Sequence, residues 1–166
     1  MKNKKTWITA VLVALLLLAG LSLLLYPTAS NYWNTIRQAR SILSYDDEIA
    51  RLEETENRRL LQEAEDYNRS LLERPSAYSL TEAQQTVYPS TLLAGSSDVM
   101  AYLEIPSIDV KLPILHGVEA DTLQRAVGHL EWSSLPVGGE STHCVLSGHR
   151  GLPSSELLTN IDRLTY

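Results

Sequence analysis

The sequence predicts a mainly β domain preceded by a helical region and, before that, a membrane-spanning helix. Three observations carry this expectation. Residues 7–26 form an uncharged apolar run of 20 residues. Residues 33–72 repeat apolar side chains at helical spacing among acid–base pairs. From Val99 the apolar period becomes two, and Pro and Gly punctuate the chain.

As a helix, the run WITAVLVALLLLAGLSLLLY would reach about 30 Å, the thickness of a bilayer core. Trp7 and Tyr26 stand at its ends, where amphipathic rings favour the interface. Lys2, Lys4 and Lys5 precede it and are expected to stay cytoplasmic, which places the rest of the chain outside. A cleaved signal peptide is the competing reading. The run is longer than a usual signal core, and no clear small-x-small site follows it directly. Beyond Tyr26 the chain carries 11 basic and 20 acidic residues, a balance that argues against a nucleic-acid partner. The single cysteine excludes an internal disulfide.

Pro27 is expected to end the span. Residues 27–75 then read as an extracellular helical region, in two helices. Ile36, Ala39, Ile42 and Leu43 mark one apolar face, and Leu60, Ala64, Tyr67 and Leu71 mark another. Between them, residues 53–59 have no apolar side and read as a solvated helix face or a bend. Asp47/Arg51, Glu54/Arg58 and Glu65/Arg69 are acid-before-base pairs four apart, each worth about a few tenths of a kcal/mol. Pro75 closes this region. Residues 76–98 read as an extended connection.

Residues 99–166 read as the β domain. Val99, Ala101, Leu103 and Ile105 would line one face of a first strand. Residues 106–109 are a turn, and 110–115 a second strand. Pro113 in that strand should lie at an edge or a bulge, since it has no N–H for a ladder. Residues 120–127 suit a short helix with Asp121 near its start. Residues 133–140 are a Pro- and Gly-rich loop, 143–146 a short strand, and 154–164 a short helix opened by Ser154 or Ser155. His149 then sits on a glycine-flanked loop at a strand end, where a scaffold can present a reactive side chain. An imidazole titrates near neutral pH and can give or take a proton.

Five blocks appear in order: VMAYLEIP (99–106), VKLPILHG (110–117), GHLE (128–131), SLPVGG (134–139) and SGHRGLP (147–153). Together they resemble the sortase family, most of all the class C, pilus-assembling sortases, over their N-terminal portion. The resemblance implies a sortase-like β-barrel, here its first half, with His149 as the catalytic histidine. It implies that the family's cysteine nucleophile and arginine lie beyond Tyr166, so the 166-residue chain alone is expected to be inactive and poorly folded. It further implies cleavage of LPXTG-type sorting signals, pilin or surface-protein substrates, an amine acceptor, and no cofactor. Class C sortases carry a lid with an Asp-Pro-aromatic motif. Here the corresponding stretch holds Arg74-Pro75 and Tyr88-Pro89, with no Asp-Pro.

Cys144 is set aside as a nucleophile. Five residues of strand span about 16 Å, and Cys144 and His149 have opposite parity. A small core position is its expected place. Arg150 is expected to shape the loop. His116, His129, His143 and His149 fit no short metal-ligand spacing, and His116 and His129 read as structural. Neither Rossmann nor P-loop spacing occurs. Two other readings stand beside the pilus-type enzyme. One is a non-enzymatic membrane-anchored helical interaction protein. The other is a housekeeping, cell-wall-anchoring sortase.

Overall fold

Pro27 does not end the first helix. In the computed structural model, which describes residues 2–74 and 76–165 (backbone alone at Lys2 and Asn3), α1 runs unbroken over Lys2–Arg51. Proline removes one ladder hydrogen bond, and a helix continuous on both sides absorbs that loss. The helix is long and apolar enough to cross a membrane, and its apolar window packs against nothing in the chain, which makes it a candidate membrane anchor. Lys4 and Lys5 lie in its first turns; the side chain of Lys2, like the expected helix stop at Pro75, lies outside the described residues.

The lower half of α1 docks on the β domain through amides. Asn34 Nδ2 donates to the Ser154 carbonyl at 2.7 Å, and Asn31 Oδ1 accepts from Glu156 N–H at 2.8 Å. Gln38 Nε2 donates to the Arg125 carbonyl at 3.0 Å, and Tyr45 Oη to that of Met100 at 3.3 Å. Of the expected stripe Ile36, Ala39, Ile42 and Leu43, only Ile42 is buried, and Leu43 is 64% exposed. The buried face is polar because it satisfies backbone groups of the β domain, and hydropathy periodicity does not register such a face.

The chain bends at Leu52 and Glu53 and enters α2 (Glu54–Ser70). Here the expected stripe holds: Leu60, Ala64, Tyr67 and, just beyond, Leu71 are all buried. Its outer face carries exposed ion pairs, Arg58–Glu54 at 3.2 Å among them, which contribute little to stability. The stretch expected as an extended connection is folded. It holds α3 (Glu82–Val87), opened by a Thr81/Gln84 capping box, and a 3-10 turn over Tyr88–Ser90. Gln84 ties α3 to α2 by donating to the Ser70 carbonyl at 2.9 Å.

The β domain is an open four-stranded sheet and a separate hairpin; among the described residues it does not close into a barrel. β1 (Val99–Ile105) pairs antiparallel with β2 (Val110–His116), the turn between them ending at Asp109 with φ +55°. α4 (Ala120–Arg125) carries the chain to β3 (Val127–His129), parallel to β2, and β4 (Leu146–Ser147) pairs antiparallel with β3. Pro113 is opposite Tyr102 of β1, and β3 joins only from Ile114 onward, so at Pro113 β2 has a strand on one side only. A bulge at Met100 changes the expected facing of β1. Met100 enters the main core beside Ala101, Leu103 and Ile105, and Val99 turns to a second cluster with Leu115, Ala126 and Tyr45 of α1.

Two further expectations change. The strand expected at 143–146 is β4, beginning only at Leu146; residues 143–145 are extended but bonded to a loop. The helix expected at 154–164 is absent. β5 (Arg150–Leu152) and β6 (Ser155–Leu157) form a hairpin there, followed by a 3-10 turn over Ile161–Arg163. Pairing with β5 and with Asn31 of α1 uses the backbone groups that a helix start at Ser155 would need.

The core joins α2 to the sheet, through Ala64, Tyr67, Tyr88, Met100, Leu112, Ile114, Val127 and Leu135. At its centre His129 is fully buried. Its Nε2 lies 2.9 Å from the Ser134 carbonyl, which can only accept, so Nε2 carries the proton. Nδ1 then accepts from Tyr88 Oη at 3.0 Å, and Tyr88 Oη in turn accepts from Gly117 N–H at 3.2 Å. The neighbouring strand brings His116 against Tyr88, ring edge to face at 4.8 Å, with Nε2 3.3 Å from Thr91 Oγ1. Burial, with His129 adding to it, pushes His116 down to about 4 from its ordinary 6.5, and burial lowers His129 as well.

Truncating Ile114 to alanine should cost about 2–5 kcal/mol, read as a lowered midpoint in chemical denaturation. The buried histidines set a pH dependence. Above pH 6.5 both folded and unfolded chains hold His116 neutral; as pH falls towards about 4, only the unfolded chain takes up the proton, so stability falls. The thermal midpoint should therefore drop between about pH 6.5 and 5, where most carboxylates stay ionised. His116→Gln, which keeps an N–H for Thr91, should flatten that slope.

Candidate active site around His149

The backbone that carries His149 is short and held at several points. β4 contributes two residues, paired as Gly128↔Ser147 and His129↔Leu146. Before it, residues 143–145 lie along the loop that follows β3. Leu130 N–H donates to the Val145 carbonyl at 3.1 Å, and Ser134 N–H to that of His143 at 3.0 Å. Ser133 Oγ accepts from Val145 N–H at 3.0 Å. Thus the residues before β4 are fixed by hydroxyl and backbone groups that a regular strand partner would otherwise supply.

After β4 the chain passes through Gly148. A Cβ there would stand 2.8 Å from Leu158 Cδ1, so glycine lets the hairpin close against this link. His149 follows, exposed, between β4 and β5. Its carbonyl accepts from Leu158 N–H at 3.1 Å, which anchors the backbone to the strand-following turn. Its imidazole makes no hydrogen bond among the described residues. An exposed, unengaged imidazole on an anchored backbone can exchange a proton with a group arriving from outside.

Arg150 turns away from this role. It pairs with Asp162 at 3.1 Å and lies opposite Leu157, holding the hairpin to the final 3-10 turn. Gly151, the middle residue of β5, takes φ +77°, and its N–H donates to Thr159 Oγ1 at 3.1 Å. Cys144 is half-buried, and burial pushes its thiol up, the opposite of what activates a nucleophile. His116 and His129 meet around Tyr88, and His143 and His149 stand apart from them on the surface. Among the described residues no three His, Cys, Asp or Glu side chains converge as a metal site would require.

The stretch without an Asp-Pro motif lies over the same loop. Arg74 Nη1 donates to the Trp132 carbonyl, and Tyr78 packs edge-on to the Trp132 ring at 5.0 Å. Two side chains of α2 also reach this loop, Tyr67 of the apolar stripe and Asn68, which was not singled out in the sequence. Tyr67 Oη donates to the Glu131 carbonyl at 3.0 Å, and Asn68 binds Leu135 through both its backbone groups. The available signal was an amide at position 68, four residues after Ala64 on an otherwise apolar helix face.

Comparison with known proteins agrees with this geometry. Residues 103–166 match the sortase domain family. Sortase D of Bacillus subtilis (strain 168) is 50% identical over 48 residues, 29% of this chain and 23% of that protein. The crystal structure of sortase C1 from Streptococcus agalactiae superposes with a TM-score of 0.71 at 40% identity, over 76% of this chain and 65% of that one. Sortase C of Streptococcus pneumoniae, whose structure is described in terms of catalysis and pilin substrate specificity, gives a TM-score of 0.63 at 34% identity, over 75% and 62%. The chain therefore spans less than two thirds of the length of each of these relatives. Over residues 103–166, a stretch that includes His149, this chain is thus similar to the sortase domain family, and its helix-and-sheet arrangement is similar to that of sortases of class C.

Proposed function

We propose that this chain is the N-terminal part of a membrane-anchored cysteine transpeptidase that cleaves LPXTG-type sorting signals and joins pilin or surface proteins to an amine acceptor. The observation that carries this reading is the exposed imidazole of His149, unengaged at the end of β4 inside the sortase-domain match. A cysteine further along a longer chain, as thiolate with its proton held on His149, attacks the carbonyl of the Thr-Gly bond. As that bond breaks, His149 gives a proton to the departing glycine amine, leaving a thioacyl enzyme. The acceptor amine then attacks the thioester, and His149 takes up its proton as the cysteine sulfur leaves. An arginine, also from the longer chain, steadies the oxyanion in both steps.

Pilin-type acceptors are favoured by the likeness to sortases of class C. The helical region supports an enzyme over a passive stalk, because α2 is part of the domain core. Residues 7–26 anchor the protein in the bilayer, Lys4 and Lys5 remain inside, and the domain works outside. Anchoring suits substrates that emerge from the same membrane. A lid within residues 76–98 would use a side chain other than an Asp-Pro plug, and Tyr78, packed on Trp132, is the candidate.

The test uses the full-length protein with a sorting-signal peptide and an amine acceptor, the product followed by mass spectrometry. His149→Ala should lower kcat/KM by about 10²–10⁴ while leaving the circular dichroism spectrum unchanged. Activity within a few-fold of the unsubstituted enzyme would remove His149 from the chemistry.

A further inference from the structure

The loop 131–135 lies between α2 and the segment that ends in His149, and it is bonded on both sides. On one side stands Asn68, a side chain 7% exposed in the middle of the α2–sheet contact. Its Oδ1 accepts from Leu135 N–H at 2.6 Å and its Nδ2 donates to the Leu135 carbonyl at 3.3 Å. Leu135 itself is fully buried, so no solvent stands ready to replace either bond. On the other side Ser133 and Ser134 hold the backbone of His143 and Val145 through the bonds already given, and His143 N–H also donates to Ser134 Oγ at 3.2 Å. Only the two residues of β4 and Gly148 separate this bonded run from His149.

We propose that Asn68 is a positioning residue for His149: its two-point bond to Leu135 sets the loop 131–135, and the loop sets the register and height of residues 143–149. The proposal rests on the catalytic reading of His149. A side chain on the pre-domain helix thereby controls a site it does not touch. β4 is too short to hold its own register, since two ladder residues supply few bonds. The loop supplies the missing constraint, and α2 fixes the loop. Without the Asn68 amide, Leu135 keeps a buried N–H with no acceptor, and the loop must shift to find one.

Hydrogen–deuterium exchange on the full-length protein tests this directly, with Asn68→Ala compared against Leu60→Ala. Leu60 is buried on the same helix, so its truncation weakens α2 without removing a loop bond. Asn68→Ala should speed exchange in the peptide spanning 143–149 about tenfold or more, as expected for one buried hydrogen bond lost, with strand 110–116 changed less than about twofold. Leu60→Ala should show no such preference. In the same preparation Asn68→Ala should lower kcat about tenfold at unchanged KM. Unchanged exchange at 143–149, or an equal rise at 110–116, overturns the proposal. So does a local rise in exchange with kcat unmoved in an enzyme that His149→Ala silences. If His149→Ala leaves the enzyme active, the catalytic reading falls and the positioning of a catalytic group falls with it. The exchange data then still show whether Asn68 holds the segment.

Discussion

One neutral imidazole joins the parts of this molecule. His129 ends β3, fully buried, and uses both ring nitrogens. Nδ1 takes the Tyr88 hydroxyl and so fixes the connection between the helices and the sheet. Nε2 gives its proton to Ser134 and so fixes the loop that backs residues 143–145. A charged ring would carry a second N–H at Nδ1, where the neutral ring accepts from Tyr88 Oη, and Tyr88 Oη already accepts from the Gly117 N–H. The surrounding apolar core therefore does more than exclude water. It holds this ring in the one protonation state that its partners can satisfy.

From that centre the helical region reads as part of the β domain. α2 contributes Ala64, Tyr67 and Leu71 to the core, and its last turn bonds the loop at Glu131 and Leu135. α1 adds a second, polar attachment to the far side, on α4 and β6. An apolar helix end and a sheet edge are thus connected by one unbroken rod of about 75 Å, 50 residues at 1.5 Å each. Among the described residues, the first hydrogen bond from α1 to the domain is at Asn31, to Glu156 of the hairpin.

His149 stands exposed on an anchored backbone. Its backbone is restrained by β4, by the close packing at Gly148 and by Leu158, yet its ring is left free. The neighbouring Arg150 is used up in an ion pair, and Cys144 is held by burial in its neutral form.

By itself the sequence determined what local period and local chemistry can express. The uncharged run, the stripe from Leu60 to Leu71, the strand at Val99–Ile105, the turn at Asp109, the short helix at Ala120 and the glycine-flanked loop at His149 were all legible there, since each depends on neighbours within a few residues. The ordered blocks from Val99 to Pro153 added the resemblance to sortases. Tertiary structure decided the rest. The polar face of α1, the Asn68–Leu135 bond and the Tyr88–His129 centre join side chains to backbone groups 41 to 125 residues away, and such bonds have no period to read. The bulge at Met100 and the hairpin at residues 150–157 were decided the same way, because the strand or helix that supplies a partner for the backbone also chooses its conformation.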